Sequence, residues 1–534
     1  EAGLSTKGGG GNTLRNVTAC CSAGVCPQEA FDVSPYVVAL TEFMLPDSLS
    51  YQLPRKYKIA FSGCEADCAA ARVNDLGFIA KKRGGQFGFA VYVGGGMGAR
   101  SRVGDLLEEF VPAGEAHLVA EAVKRVFDKH GNRKDKRKAR LRFLVQQTLM
   151  EGFRKLYEEE LAGLRREAAP PPRLCDVLRR SRQPEPEAQP PQPGFDPWRR
   201  TNVSAQKQEG YFMVHVPLML GDIPADKLGS LAGVVERHGE GLLRTTQQQN
   251  LAMRWVCEGE LAAVHHRLSA LGLAEPMAPV LRNMTTCTGA STCRLGICLS
   301  RGLAGALARE LKRSRLNLDS LGDFRIHISG CPNACGRHPI GDIGLYGAAR
   351  RVHGRFVPCY IVQLGGRVGE TDTRLAEGHQ WVPARKAPAL VVQFLKAYLE
   401  SAQHPDYAAF LQAGGAKTAE SLAAAHKDVP AFEEDKNYYY DWGAEAVFSL
   451  AGRGPGECGA GVFDLIEVDL ASAHEALREG KLWEATVLSA RALLITQGQE
   501  ARDDAQALKL FTKHFLDAGL VDESLRGLVE TARR

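Results

Sequence analysis

No run of about eighteen apolar residues occurs in this chain, so no helical membrane span is indicated. Charge of one sign is also missing. The 67 Lys and Arg residues against 62 Asp and Glu leave +5 over 534 residues, which is no nucleic-acid signature. A small positive excess does suit an anionic substrate, an acidic protein partner or a cofactor rich in carboxylates. Glu1 to Asn12 is Gly-rich and lacks the apolar core of a signal peptide. The chain also lacks an initial Met and starts almost directly on a motif, so its natural N-terminus is expected upstream. A cytoplasmic protein is the expectation, with organelle targeting left open.

What is present is a cysteine grammar written twice. Cys20, Cys26, Cys64 and Cys68 reappear as Cys287, Cys293, Cys331 and Cys335, each 267 residues later. Other positions follow the same offset: Arg15-Asn16 with Arg282-Asn283, Ser62-Gly63 with Ser329-Gly330, and Asp75 and Gly77 with Asp342 and Gly344. The chain therefore contains a duplicated module. A chain this long does not need its 14 cysteines as disulfide staples, and clustered spacing favours metal ligation. Four thiolates on two short loops suit a cubane iron–sulfur cluster, whereas structural zinc usually takes tight Cys-x2-Cys knuckles.

The length implies two to four domains in an α+β chain. Residues 1–165 hold the first cysteine copy, a strand over Phe87 to Val93, a Gly-rich turn at Gly94 to Gly98, and helical patterning from Ala116 to about Leu164. Residues 166–204, dense in Pro, Arg, Glu and Gln, read as an extended linker. Residues 205–280 read as a β-α-β-β-α unit of ferredoxin-like type: strand Tyr211 to Val216, helix Pro224 to His238, a strand pair in Gly241 to Trp255, and helix Glu260 to Leu271. Residues 281–425 carry the second cysteine copy. Residues 426–534 join a linker to a small all-helical appendix, with Leu465, Val468, Leu470, Ala473 and Leu477 at helical spacing and breaks at Gly480 and Gly498.

RNMTTCTGASTC (282–293) and HISGCPNACGRHPIGDIGLYG (327–347) resemble the siroheme and [4Fe-4S] sulfite/nitrite reductases, and LPRKYK (53–58) and RTTQQQN (244–250) are similar to further segments of that family. The resemblance covers roughly residues 8–160 and 205–400. It implies two siroheme-reductase modules related by a pseudo-twofold axis. It also implies a first ferredoxin-like unit, with an anion-binding Arg, ahead of residue 1. No counterpart of residues 206–280 precedes the first copy, so the chain as it stands is expected to leave its cofactor pocket unclosed.

The resemblance makes Cys287, Cys293, Cys331 and Cys335 the [4Fe-4S] ligands, with Cys335 bridging to the siroheme iron and Asn333 against the macrocycle. Arg15, Lys56 and Lys58 would line the substrate face, and Arg55 would bind a siroheme carboxylate. Such groups suit the task, since Arg offers a fork to carboxylates and Lys a compact charge with transferable protons. Family members acting on sulfite tend to have Lys where this chain has Lys58, and ferredoxin-dependent nitrite reductases tend to have Asn. The basic run NRKDKRKARLRF (132–143) reads either as a solvated helix face or as siroheme-carboxylate or donor contacts, and RTTQQQN as a strand or as cofactor contact.

The expected function is therefore reduction of sulfite to sulfide by a siroheme coupled to a [4Fe-4S] cluster, with electrons from a ferredoxin or flavoprotein. Nitrite reduction to ammonia is the alternative in the same architecture. A non-catalytic iron–sulfur electron-transfer or sensing protein is the alternative of another class. For Cys20, Cys26, Cys64 and Cys68 three readings stand: buried remnants, a second cluster, or a redox or zinc role. GCEADCA (63–69) lacks the Pro-Asn of GCPNACG (330–336), which argues against a siroheme site in the first half. Cys458, in the Gly-rich GPGECGAG, reads as a turn residue or as a thiol receiving reduced sulfur.

Overall fold

The computed structural model describes residues 9–167, 170–175, 189–401, 403–451, 453, 460–497, 499, 501 and 503–533. The chain divides into two compact units, Glu1–Asn283 with Arg367–Leu375, and Met284–Gly366 with Ala376–Arg534.

The first unit contains a five-stranded sheet in chain order: β1 Thr18–Ala19, β2 Ile59–Ser62, β3 Leu76–Arg83, β4 Gln86–Val93 and β5 Asp105–Pro112. The pairs β1–β2 and β2–β3 are parallel, and the rest are antiparallel. Ile59, Ala60, Phe61 and Ser62 are all buried, the unbroken apolar reading of a strand covered on both faces. Phe61 and Phe78 stack at 4.4 Å between centroids, with Phe89 edge-on to both. The helical stretch anticipated from Ala116 divides into Ala116–His130 and Leu141–Glu167, because Gly131 takes an extended backbone and closes the first helix.

The same unit holds a second, antiparallel sheet built from β6 Val203–Ala205, β7 Tyr211–Val216, β8 Leu243–Thr245 and β9 Leu251–Cys257, in the order β6-β7-β9-β8. Helices Ala225–His238 and Leu261–Ala270 complete the β-α-β-β-α unit. The extended linker anticipated to residue 204 stops earlier. Phe195–Asn202 is helical, because Phe195 and the fully buried Trp198 have a core to enter, formed by Val214, Leu231, Val264 and Leu268. The positions of this linker at 168–169 and 176–188 lie outside the described residues.

The second unit repeats the first sheet: β10 Thr285–Thr286, β11 Ile326–Ser329, β12 Ile343–Val352, β13 Arg355–Leu364 and β14 Glu377–Pro383, again in chain order. Across the parallel pairs the repeat is exact in register. Thr18 opposite Ala60 becomes Thr285 opposite His327, and Ile59 opposite Leu76 becomes Ile326 opposite Ile343. Lys58 N–H donates to Asp75 at 3.0 Å, and Arg325 N–H donates to Asp342 at 2.8 Å. The C-terminal part of this unit forms helices Ala460–Arg478, Leu482–Thr496, Asp504–Phe511 and Leu525–Arg533 around Val487, Leu494, Leu508, Phe511 and Phe515. Gly480, with φ of 75°, ends the first of these helices, as its sequence position suggested. Of the five spaced residues, Ala473 is buried and Leu470 and Leu477 are exposed; the side chains of Leu465 and Val468, and Gly498 as a whole, lie outside the described residues. Among the described residues no helix is long and apolar enough to cross a membrane.

Candidate functional site

Strand β11 delivers the second cysteine pair. After Ser329 the chain turns through Gly330, Cys331, Pro332, Asn333, Ala334 and Cys335, with Ala334 (φ 58°) and Arg337 (φ 64°) left-handed. The first pair comes from the loop after β10, and the two loops interlock. Gly330 N–H donates to the Cys287 sulfur at 3.1 Å, while its carbonyl accepts from Ile297 and Cys298 at 2.8 and 2.9 Å. A side chain at Gly336 would drive into the Ile328 carbonyl and the Cys287 amide, so only glycine lets the loops approach this closely. Asp441 and Arg453 brace the same loops. Asp441 accepts from Leu299 N–H at 2.6 Å, and Arg453 donates to the Gly296 carbonyl at 2.8 Å. Cys458 lies outside the described residues.

Cys287, Cys293, Cys331 and Cys335 are near enough for the other three to act electrostatically on Cys331. Burial pushes the Cys331 thiol up to about 12, while the Asn333 amide, donating to its sulfur, pulls the other way. Cys331 is buried, Cys287 and Cys293 are half-buried, and Cys335 is exposed. Among the described residues no three His, Cys, Asp or Glu side chains are arranged to hold a metal ion. Each thiolate of a cubane takes a separate iron, so four cysteines need not converge on one point. Four thiols on two glycine-tightened loops, with backbone amides aimed at two sulfurs, fit that group. Cys335, exposed beside the half-buried Asn333, fits a sulfur shared with a second cofactor.

The predicted cations all lie in the first unit. Leu14 and Tyr57 are bridge partners, and both side chains are buried in the core. Side chains alternate along extended chain, so Arg15, Lys56 and Lys58 share the opposite face. Lys56 and Lys58 are half-buried. Arg15 donates to the carbonyls of Gly9 and, at 2.9 Å, Gly11. Arg55 is buried and reaches Asn12 Oδ1 at 3.5 Å.

One carboxylate orders this group. Asp75, fully buried, accepts Lys58 N–H and takes the Arg140 guanidinium on both oxygens at 2.9 Å. Arg142 lies beside Arg140 and is also buried, yet its Nε and Nη1 have no hydrogen-bond partner among the described residues. Burial and the Arg140 charge hold its guanidinium down to about 10. Both guanidinium groups lie against Gly96, where a Cβ would meet Arg142 Nη1 at 2.9 Å and Arg140 Nη2 at 3.0 Å. Sequence reasoning did not single out Arg142. Its signal was the alternation Ala139-Arg140-Leu141-Arg142-Phe143, in which basic residues interleave with apolar ones instead of sharing one solvated helix face. The rest of the basic run is divided: Arg133 is exposed and pairs with Asp128, while Asn132 and Lys138 line a cleft of about 550 Å³ with Arg100, Ser101, Phe143 and Gln146. In RTTQQQN, Asn250 accepts from Leu218 N–H and donates to the Arg282 carbonyl, both at 2.8 Å, which is a structural tie.

The first cysteine set is only partly buried. Cys20, Cys26 and Cys64 are half-buried and Cys68 is exposed, with Cys20 against Cys68, Cys68 against Cys64, and Cys64 against Cys26. Their titration is shared. Hydrogen bonds from Cys26 and Cys68 hold the Cys64 thiol down, and the same contacts push Cys26 and Cys68 up.

The two mixed sheets and the antiparallel ferredoxin-like sheet agree with comparison to known proteins. Residues 10–163 and 277–410 match the nitrite and sulphite reductase 4Fe-4S domain, and residues 204–271 match the nitrite/sulfite reductase ferredoxin-like half domain. The chain belongs to the nitrite/sulfite reductase 4Fe-4S family. This is a family of siroheme-dependent oxidoreductases that use a [4Fe-4S] cluster and siroheme. The chain is 30% identical over 390 residues to a ferredoxin–nitrite reductase of Synechococcus elongatus, covering 70% of each chain. It is 29% identical over 377 residues to a sulfite reductase [ferredoxin] of Mycolicibacterium paratuberculosis, covering 69% of this chain and 63% of that one. The solved structure of Mycobacterium tuberculosis NirA protein superposes with a TM-score of 0.64 at 26% identity, covering 75% of this chain and 70% of that one.

Proposed function

We propose that the chain is a sulfite reductase that takes its electrons from a ferredoxin. The observation that carries this reading is the face shared by Arg15, Lys56 and Lys58, with Asp75 holding the Lys58 backbone at 3.0 Å. Cys287, Cys293, Cys331 and Cys335 would hold the cluster, with Cys335 also on the siroheme iron, Asn333 against the macrocycle and Arg55 on a siroheme carboxylate. When bound, these groups supply the iron that takes the anion and a path for single electrons. The protein's own work is electrostatic. Three cations hold an oxyanion, and the two ammonium groups donate protons to each oxygen that leaves as water. A lysine at position 58 suits the larger and more highly charged anion, because it adds a full charge and a transferable proton where an amide would give neither.

Nitrite is the second reading, favoured by the names of several relatives, among them the ferredoxin–nitrite reductases of Synechococcus elongatus and of plants. The ferredoxin in those names, and in that of the mycobacterial sulfite reductase, supports the choice of donor. The test compares kcat/KM for sulfite and nitrite on the cofactor-loaded protein with reduced ferredoxin as donor. A preference for sulfite is expected, and a strong preference for nitrite overturns the reading of Lys58. Absence of siroheme bands from the visible spectrum of the loaded protein would overturn both.

A further inference from the structure

The first cysteine set has no part in the function proposed above, yet it is built like the set that does. Left-handed Asp67 (φ 48°) and Ala70 (φ 55°) stand 267 residues before left-handed Ala334 and Arg337. Ala70 N–H to Asp67 O at 2.7 Å matches Arg337 N–H to Ala334 O at 3.0 Å. Ala30 N–H to Gly63 O at 2.8 Å matches Ile297 N–H to Gly330 O at 2.8 Å. Two non-glycine residues in the left-handed region cost energy in each copy, and the copies keep both. A loop that had lost its task would be free to relax at these positions.

The sulfurs are served as cluster ligands are. Backbone amides donate to three of the four: Ser22 to Cys20, Gln28 to Cys26, and Ala66 to Cys64. The last repeats the Asn333 amide on Cys331 at the same offset. Amide donors to sulfur stabilise thiolate ligands and tune cluster potential. Asp67, where the second copy has Ala334, does not intrude. It is buried within its own loop, accepting from Ser62 Oγ at 2.5 Å and from the Ala71 and Arg72 amides at 2.7 and 3.1 Å. The four thiols touch in sequence, closer than a cubane's ligands stand. Rotation of a cysteine between staggered χ1 wells moves its sulfur by about 3 Å, enough to open the group without moving the backbone.

We propose that Cys20, Cys26, Cys64 and Cys68 hold a second [4Fe-4S] cluster. Cys21, whose counterpart is Thr288, is not a ligand, and no siroheme joins this cluster, since the loop lacks the Pro-Asn between its cysteines.

The test uses the full chain, prepared without oxygen and reconstituted with ferrous iron and sulfide. Its readouts are non-haem iron, acid-labile sulfide and the electron paramagnetic resonance spectrum after dithionite reduction; none involves sulfite or nitrite. Wild type is expected to carry twice the iron and sulfide of one cubane. Cys64→Ser and Cys26→Ala each lose half of both, Cys331→Ser loses the other half, and Cys21→Ser loses none. The wild-type stoichiometry stands even if a variant fails to fold. Iron for a single cubane in wild type, zinc in place of iron at the first set, or disulfides among its four cysteines by mass spectrometry would each overturn the proposal. Loss of half the iron in Cys21→Ser would overturn the ligand assignment.

Discussion

Replacing Asp75 by Asn keeps the size of the side chain and an oxygen for Lys58 N–H, but removes the charge that Arg140 needs. The pair is buried on both sides, with Arg140 7% exposed and Asp75 0%. At 2.9 Å and an effective dielectric of about 20, the attraction is roughly 6 kcal/mol, and removing one partner of such a pair typically costs about 3–5 kcal/mol. Arg142 sharpens the effect, because its charge already repels Arg140 and would then face no carboxylate. Strand β3 starts beside Asp75, and β2 begins one residue after Lys58, so the loss should appear locally. Hydrogen exchange measured by mass spectrometry over residues 59–62 and 76–80 is expected to speed up by roughly a hundred- to a few-thousand-fold. Asp75→Asn combined with Arg140→Leu should recover much of the protection, because the stranded charge goes too. Exchange within about fivefold of wild type in Asp75→Asn, or no recovery in the double variant, would refute the idea that this carboxylate holds the cationic edge together.

Lys58→Asn is expected to move the kcat/KM ratio at least tenfold toward nitrite without changing siroheme content; an unchanged ratio removes the reading of this position. Gly336→Ala should fold its sheet yet retain little of the second-unit cluster iron, because the added carbon strikes the Ile328 carbonyl and the Cys287 amide, and iron analysis checks it. Burial lowers His327 and His338 to about 3 each, so both are neutral when folded and the unfolded chain binds their protons first. Stability of the second unit should therefore be full above about pH 6.5 and fall with acidification toward pH 3, by about 1.4 kcal/mol per pH unit for each histidine once the unfolded form is protonated. Urea unfolding at pH 7, 5.5 and 4.5 measures that slope, and replacing His338 by Gln should halve it.

The cysteine spacing was legible because loops that hold a cofactor tolerate no insertion, and the same constraint fixed the strand registers around them. The ferredoxin-like unit was legible from its alternation of periods. Arg142 was not, because a basic run looks alike whether water or protein surrounds it, and only the flanking Leu141 and Phe143 hinted at burial. The excursion Arg367–Leu375 left no mark at all. It comes from the chain between β13 and β14 but packs within the first unit, where buried Glu370 accepts from Tyr92 at 3.1 Å and pairs with Lys81 at 2.6 Å. Partners 278 residues apart, joined by one carboxylate, have no signature in a single sequence.

The excursion also bears on what the duplication preserved. Glu370 N–H donates to the Glu65 carbonyl at 2.8 Å, and Glu65 lies between Cys64 and Cys68. Chain belonging to the second repeat thus braces the cysteine loop of the first. Other elements hold the remaining first-set loop: Arg254, paired to Glu240 on both oxygens, reaches the Ala23 carbonyl at 2.5 Å, and Lys207 N–H donates to Val25 O at 2.9 Å. Fixing a surface loop costs about 1–2 kcal/mol of backbone entropy per residue, so bracing from three separate segments is an expense that an idle loop would not need. The sheets explain why the two copies share a frame. The braces explain why the first cysteine loops remain in it.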